Sequence, residues 1–296
     1  MMGPHPKPYL FPRPKSKRLP ERKAVTIVAG FRFNGGVILC ADTQETIGEY
    51  SKTWTPKLDV RPQPWYAKDS PDELMAAFAG AGDGPFADKI IERAWEEVQT
   101  ATSFDEACSQ IESSIKETHR EYGQIFQNGY LPDVELIYGV KMHGHSKLFK
   151  SIGPLVKEVD YAAAGVGMHL ANFLTSRMHQ RYLPGRQAFI LAAYVLYQCI
   201  EHVDGCGGDR HIATLNEAGN SGMINPAHID LAVHQLQEVK DAVSILLLNA
   251  PDISISPENF EKDLQAVVEK IRFLRETGQT VKELLEAAEN ATRQGK

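Results

Sequence analysis

Apolar positions alternate in the first part of the chain and then recur at helical spacing, and the same sequence of patterns appears a second time further on. Thr26 to Phe33 (TIVAGFRF) and Val37 to Ala41 (VILCA) are β-rich runs on either side of Asn34-Gly35-Gly36, which supplies the positive φ a tight hairpin needs. A further strand-like run covers Ser51 to Val60, and Leu74 to Ala79 leads into Gly80-Ala81-Gly82-Asp83-Gly84. Phe86, Ile90, Ile91, Ala94, Trp95 and Val98 then predict one long helix, and Ala107, Ile111, Ile115 and Tyr122 a second. After Pro132 strands return over Val134 to Lys141, Lys147 to Ile152 and Tyr161 to Ala164. Gly165-Val166-Gly167 opens a helix over Met168 to Met178. Another, from Gln187 to His202, ends at Asp204-Gly205-Cys206-Gly207-Gly208, and a strand from His211 to Leu215 closes the sheets. This order is the α+β pattern of a sandwich with helices outside. Two added helices are expected beyond Pro251, one started by Pro257 after Ser256 and one by the capping box Thr280-Val281-Lys282-Glu283.

Charge divides the 296 residues more sharply than hydropathy does. Residues 1–25 carry seven Lys or Arg, one acid and six prolines, whereas the rest carries 25 bases against 37 acids. The chain therefore reads as a basic leader (1–25), a main domain (26–250) and a helical extension (251–296). An acidic body argues against a nucleic-acid-binding face. No apolar stretch approaches the roughly 20 residues needed to span a bilayer, so no membrane partner is expected. The leader lacks the apolar core of a secretory signal, and its prolines oppose the helix of a transit peptide. Cys40, Cys108, Cys199 and Cys206 show no metal-like spacing and fit a reducing compartment, so a cytoplasmic protein without metal or cofactor is expected. His143 and His145 form an H-x-H pair, read as an exposed turn around Gly144 in preference to a metal site. A dinucleotide fingerprint at Gly80 fails because G-x-G-x-x-G would need glycine where Pro85 stands.

The order and spacing of several segments resemble the proteasome β-type subunits, which are N-terminal-nucleophile hydrolases. Thr26 to Asp42 is similar, without a gap, to the first hairpin of that family from nucleophilic threonine to buried aspartate, and Thr43 to Tyr50 continues in register. Lys57 in Pro56-Lys57-Leu58 falls on the family's catalytic lysine after a one-residue deletion. Ala79 to Asp83 resembles the glycine turn before the first long helix, and Gly165-Val166-Gly167 and Gly207-Gly208 the two later glycine loops. The resemblance covers residues 24 to 220. It implies a four-layer αββα sandwich of two antiparallel sheets.

The resemblance also implies roles for particular residues. A threonine hydroxyl is a poor nucleophile and needs a base, which its own α-amine supplies once the threonine is the first residue. Thr26 is then the nucleophile, Lys57 the cation that lowers the amine's pKa, and Asp42 the anion that holds the lysine. Gly80 is expected to donate its N–H to the oxyanion, with Ala79 as the alternative, Asp204 to support the Thr26 amine, and Cys206 to keep a weak hydrogen-bonding role. Val25 replaces the family's glycine before the threonine, and Val166 and Cys206 replace hydroxyl residues of the two later loops. Three functions follow: a threonine peptidase made as a precursor, a non-catalytic shell or assembly subunit, and a small-molecule amidase. Peptide or unfolded protein substrates and ring-forming assembly with itself or related subunits are the partners implied.

Overall fold

The computed structural model describes residues 26–47, 51–62, 70, 72–123, 132–180 and 182–294. The leader and Val25 lie outside them. Strands β1 (Val28–Phe33) and β2 (Gly36–Asp42) form the expected hairpin, with Gly35 at a φ of 92° in the turn. The run over residues 51–60 is two strands, β4 (Ser51–Trp54) and β5 (Leu58–Arg61), divided at Thr55-Pro56-Lys57. β4 pairs only with the short β3 (Gln44–Ile47), whereas β5 joins the larger sheet through β6 (Met75–Gly82). Helices α1 (Gly84–Val98) and α2 (Phe104–Gly123) follow, and Asp83 caps the first by accepting a hydrogen bond from the Phe86 N–H. Strands β7 (Val134–Met142), β8 (His145–Ile152), β9 (Leu155–Glu158) and β10 (Tyr161–Ala164) lead to α3 (Met168–Met178) and α4 (Gly185–His202). His143 and His145 are exposed at the β7–β8 turn, where His143 and Gly144 both have positive φ. Among the described residues no cluster of metal-ligating side chains occurs.

Strands β11 (Arg210–Asn216) and β12 (Gly222–Met223) complete one five-stranded antiparallel sheet in the order β10-β1-β2-β11-β12, and the second sheet runs β5-β6-β7-β8-β9. Three apolar clusters separate the layers. Val28, Val37, Leu39 and Ala41 meet Leu58, Val60, Ala77 and Ile137 between the sheets. α4 covers the outer face of the first sheet through Ala188, Ala192, Val195 and Leu196, and α1 and α2 cover the second through Ile90, Ala94 and Ile111. The expected sandwich of two antiparallel sheets flanked by helices is therefore present.

The C-terminal part differs from expectation. Helix α5 (Pro226–Asn249) starts before the expected extension, capped by Asn225, and its Ile229, Ala232 and Val233 join the core around α4. Among the described residues one helix follows Pro251: α6 (Pro257–Gln294) runs unbroken through Thr280 to Glu283, so that sequence starts no helix. Propensity for helix continues across these residues, and a capping sequence interrupts it only where the chain must turn. No helix among the described residues is long and apolar enough to cross a membrane.

Candidate active site

Thr26 immediately precedes β1, and the hairpin returns the chain so that Asp42, the last residue of β2, lies beside it. Asp42 is fully buried, and its acceptors are all engaged. Oδ1 accepts the Thr26 hydroxyl at 2.5 Å, the Ile27 N–H at 3.1 Å and the Lys57 ammonium at 2.7 Å, and Oδ2 accepts the Gly207 N–H at 2.8 Å. Lys57 arrives from the other sheet, one residue before β5, and also donates to Thr26 Oγ1 and to the Gln44 carbonyl. The site therefore sits at the open end of the sandwich, where the two sheets face each other. Burial pulls the Lys57 pKa down, against the pull of Asp42 and, more weakly, of Cys206 and Glu45. A desolvated ammonium this close to Thr26 places strong positive potential on Oγ1.

The first later loop, Gly165-Val166-Gly167, wraps the Thr26 backbone. Gly167 donates its N–H to the Thr26 carbonyl at 3.2 Å, and Gly165 has a φ of 84°. A Cβ on Gly165 would overlap the Thr26 carbonyl oxygen and lie 2.7 Å from Thr26 Cγ2. The second loop supplies Gly207 to Asp42 and receives the Gln44 N–H on the Gly207 carbonyl at 2.9 Å. The sequence reading did not single out Gln44 or the Gly207 amide. Their contribution is through backbone atoms, which leave no side-chain signature.

Thr26, Asp42 and Lys57 are thus brought together, and Cys206 is close by. Cys206 is buried with its sulfur against Gly167, and burial, followed by the charge of Asp42 and opposed by Lys57, raises its thiol to about 12. It is a neutral hydrogen-bonding group and not a competing thiolate. Asp204 does not join the group: it is exposed in the turn after α4, and among the described residues no hydrogen bond or ion pair links it to Thr26. Gly80 is also corrected. Its N–H is taken by the Lys57 carbonyl at 3.1 Å in the β5–β6 ladder, so it has no hydrogen to offer an oxyanion. Ala79 is buried opposite Leu58, and strand alternation turns its N–H toward β7. The same alternation puts the Gly82 N–H on the Gly80 edge, one pair further along and past the Lys57 end of β5. Gly82 has a φ of 118°, and its close approach to the Asp133 carbonyl leaves no room for a side chain. The two glycines share an edge, so only the observed strand length separates them.

Two facing antiparallel sheets flanked by helices, with a threonine held against lysine and aspartate just before the first strand, form a fold shared with proteasome-related structures. In particular, the chain is similar to solved structures of Anbu. It matches the ancestral β-subunit from Yersinia bercovieri with a TM-score of 0.59 and 16% identity, over 75% of this chain and 97% of that one. It matches the helical assembly of the Anbu complex from Pseudomonas aeruginosa at 0.61 and 13%, over 79% and 99%. A glycine mutant of Anbu from Hyphomicrobium sp. strain MC1 gives 0.58 and 13%, over 74% and 96%. No protein-family model and no curated protein sequence matches the chain.

Proposed function

We propose that the protein is a threonine-type peptidase that acts as a proteasome-like subunit, with Thr26 as its N-terminal nucleophile after removal of the leader. The carrying observation is the Thr26 hydroxyl held between the Asp42 carboxylate and the Lys57 ammonium. Once Thr26 is the first residue, its free α-amine takes the Oγ proton while Oγ attacks the peptide carbonyl, with Lys57 lowering the charge cost at Oγ. The oxyanion is met by the Gly82 N–H, and the proton passes from the amine to the departing peptide amine. Water then attacks the ester and regenerates Thr26. The subunit works within a ring or helical oligomer, in keeping with the helical assembly formed by the Pseudomonas aeruginosa Anbu complex.

Intact mass of the purified chain tests this directly. A species beginning at Thr26 is expected, together with peptide turnover that Thr26→Ala lowers by about 10³-fold or more while the far-ultraviolet spectrum is unchanged. A full-length chain without turnover would leave the non-catalytic shell subunit as the function, and native mass of the same sample reports its assembly.

A further inference from the structure

The groups of the site come from both sheets. Thr26, Asp42 and the Gly165-Val166-Gly167 loop belong to the first, whereas Lys57 and Gly82 belong to the second. Their spacing therefore depends on how the sheets are held at this open end. Asp42, Gly82 and Gly165 each follow an alanine of the cluster between the sheets, namely Ala41, Ala81 and Ala164. A methyl group offers few contacts with which to hold two layers in register. Two lysines of the second sheet cross the gap by hydrogen bonds. One is Lys57, whose ammonium reaches Asp42 at the end of β2. The other is Lys150 on β8, which stands opposite Ile137 and shares the inner face of the sheet with Leu148. Its ammonium donates to the Ala163 carbonyl of β10 at 2.9 Å and lies 3.4 Å from Glu135 Oε1.

Both partners of Lys150 lead to the site. β10 is an edge strand of the first sheet, and two residues beyond Ala163 stands Gly165, where the chain wraps the Thr26 backbone. Glu135 faces Ala81 across the β6–β7 ladder, one pair from Gly82. We infer that Lys150 is a positioning residue of the peptidase: it sets the separation between Thr26 and the Gly82 N–H by fixing the end of β10 to the end of the β6–β7 ladder. The inference rests on the peptidase reading above. The Lys150 side chain is only 18% exposed, so its loss leaves the Ala163 carbonyl and the Glu135 carboxylate short of a donor that water replaces poorly. Attack on the peptide carbonyl is fast only while Oγ and the oxyanion donor keep their spacing, and the bridge therefore acts on the chemical step.

The test uses the chain as expressed, with its N-terminus read by mass. Lys150→Met keeps a long side chain and removes the donor. Turnover of a fluorogenic peptide amide should show kcat lowered by about tenfold with KM within about twofold. Deuterium uptake at the Gly165, Val166 and Gly167 amides should quicken by about tenfold, because Gly167 is held less firmly on the Thr26 carbonyl. Lys150→Arg should restore both values. Where Lys150→Met does not fold, Lys150→Gln, which is shorter and uncharged, is read in its place. A folded variant with unchanged kcat overturns the positioning role even if its stability falls, and so does an arginine variant that behaves like the methionine one. Absence of turnover in a full-length parent chain overturns the peptidase reading. The exchange measurement then decides the bridge by itself, and unchanged uptake in the variant overturns it.

Discussion

Asp42 and Lys57 form an ion pair with side chains 0% and 11% exposed, and such a pair is stable only because every lone pair and proton is matched. Four donors converge on the carboxylate, one from each of Thr26, Ile27, Lys57 and Gly207. Asp42→Asn keeps the shape but replaces one acceptor oxygen with a donor facing either Gly207 N–H or the Lys57 ammonium. The substitution is therefore expected to cost about 3 kcal/mol in urea unfolding, and the Thr26→Ala variant far less, because it leaves no charge unpaired. A cost for Asp42→Asn near that of Thr26→Ala would mean that the pair is solvated in the working protein. Thr26, Asp42 and Lys57 were legible in the sequence because their side chains carry the chemistry, at spacings set by one hairpin and the entry to β5. The proposed oxyanion donor, Gly82, was not, since it is a backbone N–H whose direction depends on where β6 ends. Asp204 was misplaced for a related reason, because a turn of glycines fixes which residues face inward and composition alone does not.

At the scale of elements, the loop between β10 and α3 packs directly on the Thr26 backbone. Gly165 and Gly153 both have positive φ, 84° and 56°, but a Cβ on Gly153 would meet nothing within 4 Å, whereas one on Gly165 would strike Thr26. Gly153→Ala should therefore cost only the left-handed backbone penalty, about 1 kcal/mol. Gly165→Ala should cost about 3 kcal/mol and also depress peptide turnover, because relief of the clash displaces the Thr26 carbonyl from Gly167. Equal stability losses with unchanged turnover would show that the loop does not position Thr26. Helices α1 and α2 were readable from periodicity, since each buries one apolar stripe against the second sheet. Helix α5 carries an equally plain start, Asn225-Pro226 and the stripe Ile229, Ala232, Val233, Leu236, but its last turns, Val243 to Leu248, are apolar at every position except Ser244, which hides the period. The division of residues 51–60 between two sheets is decided by tertiary pairing and is invisible to strand propensity.

The whole molecule has a sandwich with three apolar clusters, none of which, among the described residues, includes a residue of α6. Helix α6 is 38 residues long and lies chiefly along α5, joined by Lys270 to Glu238 at 3.0 Å and by Asn249 to Asp263 at 2.7 Å. In its part with described side chains, residues 257–276, Val267 is the buried apolar residue, and local pairs such as Lys262 with Glu258 add to the packing on α5. We therefore propose residues 251–296 as an extension outside the main hydrolase domain, with α5 as the bridge between them. A chain ending at Ser256 should keep the urea midpoint of the sandwich to within about 0.5 kcal/mol and should keep the peptide turnover assigned to Thr26, because no described member of the site or of a cluster lies in α6. It should lose a large fraction of its helical ellipticity and gain apolar surface on α5, where Ile245, Leu247 and Leu248 are already exposed. That surface should show as increased binding of a hydrophobic dye at constant stability. Loss of cooperative unfolding in the shortened chain would place α6 inside the domain, and the boundary near residue 250 would then have to be abandoned.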